Sequence, residues 1–275
     1  MKIKKSLSGV IIGVVALSTI VGLSGLNFLI PAAQNYADDA ENEMENPRES
    51  APIMEKITLQ TKDGKRLAAN LYRIANPLGW IAFFHMMPAQ KESWDDLAKE
   101  FQNLGYESLA IDFRGHGESD AGPTGYQNFS DKEQQKKILD LEAAVDYLIK
   151  NRRAAPQKIS LLGASIGANL SLKYLSEHAE FPKAVLLSPG LNYYGIETEP
   201  LVRNLKFGQA VFFVGSRDDG RAGGNNAEQN QKLYDAVPAG VLKKIKIYDT
   251  AGHGTTMLQK EKELKDLIIN FILEQ

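Results

Sequence analysis

The chain contains no cysteine. That absence excludes disulfides, thiolate metal sites, a catalytic thiol and the lipid-modified cysteine of a bacterial lipoprotein. It is uninformative about redox compartment, because a cysteine-free protein is safe in either. An excess of one charge sign is also missing: the formal net charge is −2, so no nucleic-acid surface is expected. Histidine is scarce, with four in 275 residues, and no His/Asp/Glu cluster has convincing ligand spacing, so neither a metal nor another cofactor is expected. There is no internal repeat and no low-complexity segment. What remains is 43% hydrophobic residues in 275, enough to bury one large core.

One hydrophobic run stands apart from the rest. Met1-Lys2-Ile3-Lys4-Lys5 is basic, and Val10 to Ile30 is mostly apolar without a charge. An apolar segment of about 20 residues is long enough to cross a bilayer as a helix. It also fits a long signal-peptide core, for which roughly 7–15 residues is usual. Residues 1–33 are therefore expected to be a membrane anchor or a signal peptide, with the lysines favouring a cytoplasmic N-terminal end. Either way the remainder would work outside the cytoplasmic membrane, tethered or secreted. Residues 34–53 are rich in Asp, Glu and Asn, lack an apolar face, and read as a flexible acidic linker.

From residue 54 to 275 the pattern is that of a folded domain. Ile57–Thr61 and Leu67–Tyr72 flank Asp63-Gly64, a hairpin signal. Strand patterns at Ile81–Phe84, Ser108–Ile111, Ile159–Leu162, Ala184–Leu187, Ala210–Val214 and Lys244–Tyr248 then alternate with helical ones. Helices are expected over Trp94–Leu104, Asp131–Lys150 and Lys260–Leu273, among others. Such alternation predicts an α/β fold: a mainly parallel central sheet with helices on both faces.

Chemistry is concentrated after three of these strands. Gly163-Ala164-Ser165-Ile166-Gly167 lies between a strand and a helix, a turn that presents a serine hydroxyl for attack. Gly163 and Gly167 have a steric reason to be glycine there, because strand and helix come close. Alone the pentapeptide is a weak signal. Downstream, Ala210–Val214 leads into Gly215-Ser216-Arg217-Asp218-Asp219, and Lys244–Tyr248 leads into Ala251-Gly252-His253-Gly254. Serine, aspartate and histidine thus each follow a strand's C-terminal end, where open parallel sheets bind ligands. A serine hydroxyl needs an imidazole to take its proton, and the imidazole needs a carboxylate to fix its tautomer.

With those residues the chain resembles the α/β-hydrolase superfamily, whose triad runs in this order. The resemblance covers roughly residues 54 to 275. It includes Asp112-Phe113-Arg114-Gly115-His116-Gly117-Glu118-Ser119, similar to the family's loop after its fourth strand, and Trp80–His85, similar to its third strand and oxyanion loop. The resemblance implies Ser165 as nucleophile and His253 as base. Asp218 is expected as the acid on its spacing from Gly215, with Asp219 as the neighbour that could replace it. His85 and His116 match structural positions. The oxyanion donors would be the backbone N–H groups of Ile166 and Met87, with Met86, which stands where relatives usually carry glycine, as the fallback for Met87.

No large cap is expected, because only Ser188 to Gln209 joins two neighbouring strand patterns. Leu191, Tyr193, Tyr194 and Ile196 in that stretch either line an acyl or alcohol pocket or pack over the sheet edge. The expected activity is hydrolysis of a small-molecule or lipid-derived ester, in the manner of a carboxylesterase or lysophospholipase. A serine peptidase, thioesterase or acyltransferase would use the same triad. A non-catalytic binding protein on this fold usually lacks a triad residue, and none is missing.

Overall fold

The structure, a computed structural model, describes residues 53–220 and 224–274. The expected anchor or signal segment, and the linker up to its last residue, lie outside the described residues. Among the described residues no helix is long and apolar enough to cross a membrane.

The domain opens with the hairpin β1 (Ile53–Gln60) and β2 (Arg66–Arg73), paired from Ile53↔Arg73 to Gln60↔Arg66. Gly64, at φ 82°, makes the turn, a conformation that only glycine adopts without penalty. There follow β3 (Gly79–Phe84), α1 (Asp95–Asn103) and β4 (Tyr106–Ile111). The chain continues through α2 (Asp131–Gln135), α3 (Lys137–Arg152), β5 (Ile159–Ala164), α4 (Ile166–Glu177) and β6 (Lys183–Leu187). A small hairpin of β7 (Asn192–Tyr193) and β8 (Ile196–Glu197) precedes α5 (Thr198–Arg203). The chain then forms β9 (Ala210–Ser216), α6 (Asn226–Ala236), β10 (Leu242–Tyr248), α7 (Thr256–Lys260) and α8 (Glu263–Leu273).

Eight strands form one sheet in the order β1-β2-β4-β3-β5-β6-β9-β10. Pairing is parallel from β4 to β10 and antiparallel where β2 meets β1 and β4. The alternation of side chains along a strand sorts the core into two layers. In β3, Trp80, Ala82 and Phe84 join α3 residues such as Leu141, Val145 and Leu148 on one face. Ile81 and Phe83 join Leu97 and Phe101 of α1 and Ile268 and Phe271 of α8 on the other. The expected α/β architecture is therefore the observed one.

Two helices differ from their expected spans. The run expected over Asp131–Lys150 is divided at Lys136 into α2 and α3. Ser130 and Glu133 form a reciprocal capping box that starts α2, so that helix takes its direction from its own cap. The last helix, expected over Lys260–Leu273, starts three residues later as α8, because Glu261 is extended, and a short additional helix, α7, precedes it.

Candidate active site

Ser165 sits between β5 and α4 at φ 54° and ψ −119°, a backbone region that costs on the order of 1–3 kcal/mol and persists only where the surroundings enforce it. Here they do. The Ser165 amide donates to Leu187 O at 2.8 Å, and Ser165 O accepts from the Ala168 and Asn169 amides. A Cβ on Gly163 would lie 2.2 Å from Gly167 O, and one on Gly167 would lie 2.3 Å from Phe84 O. Both glycines are thus fixed by close approach of strand and helix.

His253 and its carboxylate partner follow the two strands at the far end of the sheet. His253 Nδ1 lies 2.6 Å from Asp219 Oδ2, with both residues almost fully buried (6% and 3% exposed). It is Asp219, not the expected Asp218, that the structure brings to His253. The physical reason is Ser216, whose hydroxyl donates to Asp218 Oδ1 at 2.5 Å, while the Gly252 amide donates to the same oxygen at 2.9 Å. Asp218 is thereby turned outward as a brace between the acid loop and the histidine loop, and those two hydrogen bonds hold its carboxyl below the usual range. The histidine loop is tied down on both sides of the ring: His253 N–H donates to Thr256 Oγ1, and Gly254 N–H to Ser188 Oγ.

Ile166, first residue of α4, has no acceptor for its N–H among the described residues, and neither has Met87. The Met87 amide is aimed by its own peptide plane. In a trans peptide N–H and C=O point opposite ways, and Met86 O accepts from His85 Nδ1 at 2.7 Å. His85 Nε2 in turn accepts from the Phe113 amide at 3.0 Å, which makes Nδ1 the protonated nitrogen. Burial pushes the His85 pKa down to about 4, so this tautomer holds through the neutral range. Met86 itself is buried, and its Sδ packs against Gly254, where a Cβ would come within 2.5 Å. The methionine in place of glycine therefore packs on the histidine loop rather than lining the site.

Ser165 and His253 line one cavity of about 500 Å³, together with Met87, Pro88, Tyr126, Asn192, Tyr193 and Tyr194. Tyr194 and Gly195 form the two-residue turn of the β7–β8 hairpin, both with positive φ (54° and 81°). Asn-Gly is the least strained choice for such a turn, so a tyrosine there accepts strain while standing at the cavity. The hairpin is pinned from both sides. Asn169 of α4 bonds Gly190 and Ile196, and Gln135 of α2 donates to Tyr194 O at 2.7 Å. Of the four residues expected to line a pocket or pack on the sheet, Tyr193 and Tyr194 do the first, whereas Leu191 and Ile196 pack with the core. Tyr126, Asn192 and Pro88 were not singled out in the sequence. Tyr126 lies between a Gly-Pro-Thr-Gly turn and the Ser130 capping box, a spacing that marks an ordered loop but not its direction.

The remaining expected structural residues hold the loop after β4. Arg114 binds Asp140 and Asp63, and Asp112 accepts from Lys91 Nζ at 2.7 Å and from the Glu118 amide. His116 is buried, stacked on Tyr126 with ring centroids 4.2 Å apart. His178 sits partly exposed at the end of α4, stacked on Tyr174.

These features are those of an α/β-hydrolase. The model of the Hydrolase_4 family, serine aminopeptidase S33, matches residues 75–213. The chain belongs to this family and is a hydrolase. The matched span contains Ser165 and ends before Asp219 and His253. Among solved structures, an esterase of Pyrococcus furiosus superposes with a TM-score of 0.65 at 21% identity, covering 81% of this chain and 90% of that one. Acetyl xylan esterase 1 from Thermoanaerobacterium gives 0.64 at 16%, covering 82% and 84%. An esterase from Exiguobacterium antarcticum gives 0.61 at 14%, covering 80% and 100%. At these identities the likeness is one of fold. No curated protein matches the chain in sequence.

Proposed function

We propose that the protein is a serine esterase acting on neutral carboxylic esters, with Ser165 as nucleophile, His253 as base and Asp219 as acid. The observation that carries this reading is the buried 2.6 Å His253–Asp219 pair opening onto the same cavity as a serine held at positive φ. Ser165 Oγ attacks the ester carbonyl as its proton passes to His253 Nε2. The Ile166 and Met87 amides receive the oxyanion, which is where a hydrolase concentrates its stabilisation. Collapse expels the alcohol with the proton from His253 and leaves an acyl-serine. A water, deprotonated by His253, then releases the acid and restores Ser165. Asp219 keeps the imidazole tautomer and stabilises the imidazolium without itself taking the proton.

The cavity favours an ester over a peptide N-terminus. An aminopeptidase must hold a free ammonium, and none of the described residues lining the cavity is a carboxylate. Three tyrosines, a proline, a methionine and an asparagine suit a neutral substrate with apolar and hydrogen-bonding parts. Carboxylesterase or lysophospholipase activity fits these walls. An extracytoplasmic location, tethered or secreted, is supported by the Val10 to Ile30 run alone.

The test is a fluorophosphonate probe on the full chain in mild detergent, beside Ser165→Ala and His253→Ala, with p-nitrophenyl acetate as reporter. Labelling and turnover of the parent, both lost in the two variants, are expected. A folded parent that neither labels nor turns over would sink the reading.

A further inference from the structure

The first residue of α3 is a lysine with no exposed surface. Among the described residues it forms no ion pair. Lys137 Nζ donates to the neutral Gln134 Oε1 at 2.6 Å and lies 3.4 Å from Met87 Sδ. Around it stand the rings of Phe113, Tyr126 and Phe129, with centroids 5.8, 6.0 and 5.9 Å from Nζ. The nearest carboxylate on its own helix, Asp140, is occupied by the Arg114 guanidinium and amide. Burial lowers the amine's pKa to about 7. Burying an amine in such a place is unfavourable, and a methionine, one atom shorter, would pack there without that cost.

What the amine touches explains its presence. Gln134, itself buried, uses its Nε2 to bond Tyr126 O at 2.9 Å. A continuous chain therefore runs from Met87 through Lys137 and Gln134 to Tyr126, and both of its ends line the cavity that holds Ser165. At Met87 this chain grips the side chain, while His85 grips the preceding carbonyl. The backbone leading into Met87 and the Met87 side chain are thus held separately.

We propose that Lys137 is a positioning residue for the oxyanion loop, tying Met87 to the Tyr126 wall so that the Met87 N–H stays aimed at the reacting carbonyl. The inference rests on the esterase reading. A tie of this kind acts on the transition state, where the oxyanion forms, and much less on substrate binding.

The experiment is steady-state hydrolysis of p-nitrophenyl acetate by the full chain, with Lys137→Met, Met87→Leu, the double variant and Ser165→Ala, each also melted thermally. Lys137→Met is expected to melt at or above the parent temperature and to lose tenfold or more in kcat, with KM within about twofold. Met87→Leu removes the other end of the contact and should lose kcat similarly. The double variant should be no slower than the worse single one, because both cut the same tie. Gln134→Met, which severs the link to Tyr126, gives the same signature should Lys137→Met fail to fold. Parental kcat in Lys137→Met, a loss in KM alone, or losses that multiply in the double variant would each overturn the proposal. A parent no faster than Ser165→Ala overturns the esterase reading and this inference with it, whereas an active parent with an unaffected Lys137→Met overturns this inference alone.

Discussion

Adjacent aspartates with opposite assignments make the sharpest test. In the proposed mechanism His253 takes the serine proton and becomes an imidazolium, in a site where both it and Asp219 are more than nine-tenths buried. Asp219→Asn keeps the shape and removes the charge. With an effective dielectric of about 20 and a charge separation of about 3 Å, the lost attraction is roughly 5–6 kcal/mol. Transition-state theory converts that into a fall in kcat of about 10⁴-fold. An asparagine can also present its amide to Nδ1 and lock the wrong tautomer, a loss of the same order. Asp218→Asn should behave differently. It weakens an exposed brace to Ser216 and Gly252 and leaves the buried pair intact, so a loss of about tenfold or less is expected. The assay is kcat on p-nitrophenyl acetate together with the fluorophosphonate labelling rate, with thermal melts to show that both variants fold. Equal losses in the two variants, or a greater loss in Asp218→Asn, would refute the assignment.

Two further outcomes test the scaffold. Gly167→Ala places a Cβ 2.3 Å from Phe84 O and should cost more than about 3 kcal/mol in urea unfolding. Gly220→Ala, where no atom of the described residues lies within 4 Å, should stay within about 0.5 kcal/mol of the parent. Lys137 also makes stability depend on pH. The folded pKa of about 7 lies below the ordinary 10.5, so between those values the unfolded chain binds a proton that the folded one does not. Stability should therefore rise as pH climbs from 7 towards 10.5, and the penalty below 7 is roughly 5 kcal/mol. The charged and titratable groups nearest the amine are Asp140 and Arg114, with His85 and His116 kept neutral by burial. Urea unfolding of parent and Lys137→Met at pH 6.5 and 9.5 measures the effect, and identical pH slopes would refute it.

The strand and helix order was legible because hydrophobic period and turn chemistry are local. Asp63-Gly64, the glycines around Ser165 and the alternating strands each declare a backbone geometry without help from distant residues. The loops carrying Ser165 and His253 were equally visible, since each follows a strand pattern and is bracketed by glycine. The choice between Asp218 and Asp219 was not. Neighbouring side chains point different ways, and the direction was decided by Ser216 and Gly252, the latter 34 residues along the chain from Asp218. The division of the Asp131–Lys150 helix was hidden for a similar reason: residues 131–137 hold no glycine or proline to mark a break, yet Lys137 points into a cage built by Phe113, Tyr126 and Phe129 from the preceding loop. Tyr126 entered the cavity through that same loop, which has no periodicity to read.

The arrangement of the sheet has a consequence for how the protein would fail when warmed. Ser165 rides on a central strand, hydrogen-bonded on both sides by β3 and β6. His253 follows β10, which pairs with β9 alone and ends the sheet. Opening of the outermost strand requires breaking one ladder and its packing against α6 and α8, and such sub-global openings lie below the free energy of complete unfolding. Ser165 and His253, the proposed nucleophile and base, therefore belong to parts of the domain with different local lifetimes. Heat would separate the two residues by peeling away His253 while the serine is still held in an intact sheet, so that inactivation runs ahead of melting.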